Sequence, residues 1–165
     1  MRYAGIIKND VSAAPGVCVS FFTQGCPHRC HGCHNPETWD YEGGKEFTAD
    51  TILEVLNALT ANGVERSFCI MGGEPLCPNN LSITSMLIEE VRKHFPDKPI
   101  FVWTGYTMEE LNSYKRVNDN NKEGKALRYI LNNINCLIDG RYEEDKRDIT
   151  LVMRGSANQN IYYFD

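Results

Sequence analysis

Val17-Cys18-Val19-Ser20-Phe21-Phe22-Thr23-Gln24-Gly25-Cys26-Pro27-His28-Arg29-Cys30-His31-Gly32-Cys33 carries two patterns end to end. Val17 to Phe22 is rich in β-branched and aromatic side chains and reads as a strand. The cysteine loop follows at once, with Cys26, Cys30 and Cys33 spaced C-x3-C-x2-C and no fourth cysteine nearby. The same grammar recurs along the chain. Ser67 to Met71 reads as a strand and runs into Gly72-Gly73-Glu74-Pro75. Ile100 to Trp103 runs into Thr104-Gly105-Tyr106, and Cys136 to Ile138 into Asp139-Gly140-Arg141.

Helical periodicity fills the intervals. Ile52, Leu53, Val55, Leu56 and Leu59 recur at helical spacing between Thr51 and Ala61, with Thr51 and Thr48 as rival N-caps and Asn62-Gly63 as the stop. Ile83, Leu87, Ile88 and Val91 mark a helix from Leu81 to His94. Thr107-Met108-Glu109-Glu110 is a capping box opening a short helix, and Ala126 to Ile134 gives another. Asn112 to Lys125 is polar and reads as a solvated loop; Ile149 to Met153 reads as an edge strand.

Strand–helix alternation implies an α/β fold with a mainly parallel sheet and right-handed crossovers. About four such units make a partial, open (β/α) barrel with helices on the outside, short of the eight that close one. There is no internal repeat or linker, so residues 1–165 form a single domain. Loops at the C-terminal ends of parallel strands converge on one site, and all four unusual loops fall there.

Composition narrows the partners. The 165 residues are 42% hydrophobic and 24% charged, as in folded soluble chains. Apolar runs stay far below the ~18 residues of a membrane span, and Met1 to Lys8 lacks a signal-peptide core. A cytoplasmic protein without membrane partners is expected. The net charge of -5 argues against a nucleic-acid backbone as the main partner. Seven cysteines, three clustered and four scattered (Cys18, Cys69, Cys77, Cys136), suit reduced thiols with one metal-binding loop better than a disulfide framework.

Three thiolates on one short loop suit a four-iron cluster that keeps one iron open, since such clusters otherwise take four cysteines. A single zinc ion completed by His28, His31 or His34 is the competing reading. Glu74 can accept from an ammonium group, and the glycines before it let a ligand approach the backbone. Taken singly, Thr104-Gly105-Tyr106 and Asp139-Gly140-Arg141 are equally readable as turns. Asp139 is suited to a ribose hydroxyl and Arg141 to a carboxylate. Arg154 to Gln159 is dense in polar side chains and, on its own, reads as a frayed tail.

C-x3-C-x2-C followed by Gly-Gly-Glu-Pro resembles the radical S-adenosylmethionine superfamily. Gly25-Cys26 through Cys33-His34-Asn35-Pro36-Glu37-Thr38-Trp39, Val102 to Tyr106, Ile138 to Arg141 and Arg154 to Gln159 resemble, more narrowly, the activating enzymes of anaerobic ribonucleoside-triphosphate reductase. The resemblance covers about residues 15 to 160. It implies a [4Fe-4S] cluster on Cys26, Cys30 and Cys33, with S-adenosylmethionine chelating the open iron. Gly72, Gly73 and Glu74 would take its amino end, Thr104 would also bind the cofactor, Asp139 would lie near the ribose, and Arg141 stands where the wider group often has lysine. It also implies cleavage to methionine and a 5′-deoxyadenosyl radical, which takes hydrogen from a backbone glycine of the reductase. The electron would come from a one-electron donor such as flavodoxin. The same chemistry on pyruvate formate-lyase, and a non-catalytic zinc or iron–sulfur module, stand as alternatives. The short chain and the absence of a cysteine-rich insert favour the reductase.

Overall fold

The computed structural model describes residues 1–164. Its centre is the parallel sheet expected from the pattern: β2 (Val17–Thr23), β4 (Arg66–Gly72), β5 (Ile100–Trp103) and β6 (Cys136–Asp139) lie side by side in chain order. The crossovers run through α1 (Ala49–Thr60), α2 (Leu81–His94), and the pair α3 (Met108–Val117) and α4 (Lys122–Asn133). Thr48, not Thr51, is the N-cap of α1, and Thr51 closes the capping box from within the first turn.

Three antiparallel strands flank this core: β1 (Arg2–Asp10) against β2, β3 (Lys45–Glu46) against β1, and β7 (Asn160–Tyr163) against β6. The full order is β3-β1-β2-β4-β5-β6-β7, an open mixed sheet. The apolar pattern marks none of the three. β1 is bulged, and Ile7 in its middle is exposed.

Two expectations need correcting. Most of Asn112 to Lys125 is helix rather than loop: α3 runs to Val117, and α4 starts at Lys122 with Asn121 capping Gly124 N–H at 2.8 Å. These helices are polar because each buries a narrow face, Leu111 in one and Leu127 and Ile130 in the other. Ile149 to Met153 is not a strand. Asp148 organises a turn by accepting from Thr150, and Met153 takes a positive φ of 58°. The edge strand of that region is β7.

The two faces of the sheet differ in kind. Val19, Phe21, Phe68, Ile70, Ile100, Val102 and Leu137 share one large core with the helices. The residues between them point the other way, because side chains alternate along a strand. Ser20, Cys69, Phe101 and Cys136 pair across β2, β4, β5 and β6 in one row. Cys18 and Cys69 pack there with Ala14, and Met153 from the late chain also covers this face. Among the described residues no helix is long and apolar enough to cross a membrane.

Candidate metal centre

The four loops predicted to converge do so at the C-terminal ends of β2, β4, β5 and β6. Cys26, Cys30 and Cys33 line one open cleft together with Gly72, Gly73, Glu74, Thr104, Gly105 and Gly140. The backbone welds the first two loops together: Glu74 N–H donates to Gly25 O at 2.9 Å, and Gly73 N–H to Thr23 O at 2.9 Å. Both glycines of this turn are required. Gly72 sits at φ 102°, and a Cβ on Gly73 would lie 2.5 Å from Gly25 O.

All three cysteines are free thiols. Burial pushes the Cys26 thiol up to about 11 and raises that of Cys30. A thiolate in such a site needs a positive partner, so loading a metal there releases protons. Asn35 N–H already points to Cys33 Sγ at 3.4 Å. On the cysteine loop itself, His28 Nε2–H donates to Glu74 Oε2 at 2.8 Å. Among the described residues no three His, Cys, Asp or Glu side chains gather closely enough to hold one ion. A cluster instead distributes its thiolates over separate irons. The donor set therefore fits a three-cysteine iron–sulfur cluster. A ligand beside it also has a donor waiting: the indole N–H of Trp39, on the cleft wall, is buried without a partner.

Glu74 is 1% exposed and fully engaged. Its Oε1 accepts from Thr104 Oγ1 at 2.7 Å and Leu76 N–H at 2.9 Å; its Oε2 accepts from Gly105 N–H at 2.7 Å and from His28. Asp139 and Arg141 are not brought to the cleft wall. The Asp139 carboxylate is 1% exposed and accepts from Met108 N–H, Asn160 N–H and Asn160 Nδ2. Arg141 forks onto Glu110 at 3.0 and 3.1 Å and lies 6.0 Å from the Tyr106 ring centre. Sequence reading missed the ordered return of Arg154 to Gln159. Gln159 Oε1 accepts from Gly155 N–H at 2.8 Å and its Nε2 donates to Gly140 O at 2.8 Å, which sets Gly155 and Gln159 on the cleft wall beside Tyr142. The density of amides and glycine there was the available signal.

The cleft and fold define a single-cluster iron–sulfur protein, and residues 13–162 match a family model described as a 4Fe-4S single cluster domain. Full-length relatives narrow this. An anaerobic ribonucleoside-triphosphate reductase-activating protein of Pasteurella multocida is 37% identical over 99% of this chain and 98% of its own. Its namesakes from Escherichia coli and Enterobacteria phage T4 are 33% and 34% identical, covering 99% and 98% of this chain and 99% and 94% of their own. This chain belongs to that family of activating proteins.

Proposed function

We propose that this protein generates a glycyl radical on an anaerobic ribonucleoside-triphosphate reductase by reductive cleavage of S-adenosylmethionine to methionine and a 5′-deoxyadenosyl radical. The observation that carries the reading is one cleft shared by Cys26, Cys30, Cys33 and the Gly72–Gly73–Glu74 and Thr104 strand ends, in a chain matched end to end by reductase activators. The cluster with S-adenosylmethionine on its open iron supplies the electron transfer and bond cleavage; the protein supplies position and exclusion of water.

In this reading Cys26, Cys30 and Cys33 hold three irons. The amino end of S-adenosylmethionine would meet the Gly72–Gly73 backbone and Glu74, whose carboxylate Thr104 holds in place. Asp139 and Arg141 contribute indirectly, Asp139 by tying the end of β6 to α3 and β7, and Arg141 by covering Tyr106. Winding in one direction, with helices sharing one face, suits a sheet curved into a partial, open barrel. The open side of the strand-end cleft would then admit the partner's glycine segment, since hydrogen abstraction needs atoms about 3–3.5 Å apart. A cytoplasmic one-electron donor such as flavodoxin completes the scheme.

The test is anaerobic reconstitution, followed by product analysis for methionine and 5′-deoxyadenosine and by paramagnetic resonance after mixing with the reductase. A doublet that disappears when the reductase glycine becomes alanine supports the proposal. A doublet formed only on pyruvate formate-lyase removes the substrate assignment and keeps the radical chemistry. Stoichiometric zinc without cofactor cleavage removes both.

A further inference from the structure

We propose that His28 is a positioning residue that fixes the cysteine loop to Glu74, holding Cys26 and Cys30 in place before any cluster is built. The inference rests on the iron–sulfur reading of the cleft. Glu74 is bolted to the ends of β4 and β5 by Leu76, Thr104 and Gly105. His28 is the donor that reaches this carboxylate from inside the cysteine loop, at 2.8 Å, with side-chain exposures of 6% for His28 and 1% for Glu74. Charge-assisted hydrogen bonds of this kind are stronger than neutral ones, and burial strengthens them further.

Two further features are built around the ring. Tyr106 meets it edge-on, with centroids 4.5 Å apart and planes at 73°. Position 105 is glycine where any Cβ would run into the His28 ring, so the missing side chain is what admits the imidazole. The neighbour, Arg29, stands at φ 49°, a left-handed conformation that costs a branched or long side chain energy and persists only where the surroundings hold it. An anchor at His28 supplies that hold, one residue away. Cys26 and Cys30 flank the anchored turn, so their thiols inherit its rigidity, as outer ligands orient the primary ligands of a metal site.

The experiment compares wild-type protein with His28→Ala, His28→Gln and His28→Asn. The Gln amide nitrogen can occupy the place of Nε2 and donate to Glu74; the Asn amide is too short. In the metal-free protein, amide hydrogen exchange at residue 26 and residues 28–30 should quicken roughly tenfold in the Ala and Asn variants. Exchange in β4, β5 and β6 should stay at the wild-type rate. After anaerobic reconstitution the same two variants should lose iron to a chelator roughly tenfold faster, and the reduced-cluster resonance should broaden. His28→Gln should restore all three readings. Wild-type rates in Ala and Asn, or no recovery in Gln, overturn the proposal. So does quickened exchange spread evenly over the sheet, which marks a merely structural residue. If His28→Ala does not fold, His28→Asn carries the comparison. Wild-type protein that takes up no iron removes the cluster reading and the positioning role with it, whereas wild-type iron retention in every variant removes the positioning role alone.

Discussion

Glu74 has no free acceptor left, and that fixes what its loss should do. Glu74→Ala strands the Thr104 hydroxyl and the Leu76 and Gly105 amides in a buried site. The metal-free protein should lose about 2–4 kcal/mol in denaturant unfolding. Cofactor affinity should fall with it, because these bonds exist before any reaction. Unchanged stability would show that the hub is dispensable. Among the thiols the roles divide by position. Replacing Cys26, Cys30 and Cys33 together by alanine should abolish iron and sulfide binding, while Cys69→Ala or Cys136→Ala, beneath the sheet, should keep both; iron retained in the triple variant would end the cluster assignment. Asp10 gives a pH signature. Its burial alone would raise the pKa, but hydrogen bonds from Ser20 and Ser12 bring it below the ordinary carboxylate value. A group with a depressed folded pKa stabilises above its unfolded value of about 4 and loses that contribution as pH falls through the folded one. Unfolding midpoints of wild type and Asp10→Asn, compared between pH 6 and 3, should therefore converge at the acidic end.

At the level of elements, capping is the most exposed dependency. Thr107 accepts from Glu110 N–H while Glu110 returns a bond to Thr107 N–H, and the same Glu110 holds Arg141. Thr107→Ala should cost about 1 kcal/mol of unfolding free energy; no change would mean α3 is held by packing alone. This capping box was legible in Thr107-Met108-Glu109-Glu110, as were the bounds of α2 and β5, because dense periodicity and flanking breakers mark them. The parallel strands were legible for the same reason: each is a short apolar run ending in glycine or an unusual loop. What stayed hidden has a physical cause. β1 and β7 gain their place by pairing with neighbours, so their own sequences need little apolar alternation. α3 and α4 lie at the periphery and read as polar. At the site, the three thiols and the Gly72–Glu74 turn were readable from residue type and spacing. Whether Asp139 and Arg141 faced the cleft was not, because Asn160, Met108 and Glu110 compete for them from elsewhere in the chain, and no local pattern announces a distant partner.

For the molecule as a whole, the division of the sheet into two unlike faces separates stability from chemistry. Four helices seal one face with bulky aliphatic side chains, while the strand ends and the loops that cover the other face carry the reactive groups. Loosening the cleft loops therefore need not melt the core, and the core can be altered on its helix side without moving the thiols. The buried row beneath the sheet has a practical corollary. Five of the seven sulfhydryls (Cys18, Cys26, Cys69, Cys77 and Cys136) are shut away, and two, Cys30 and Cys33, are partly open. A colorimetric thiol titration of intact, metal-free chain should show two fast equivalents and five slow ones. The slow phase then keeps time for the opening of the native state: its rate at Cys69 and Cys136 counts excursions that part the sheet from its cover. A preparation giving all seven at once is already unravelled, whatever its helical content reports.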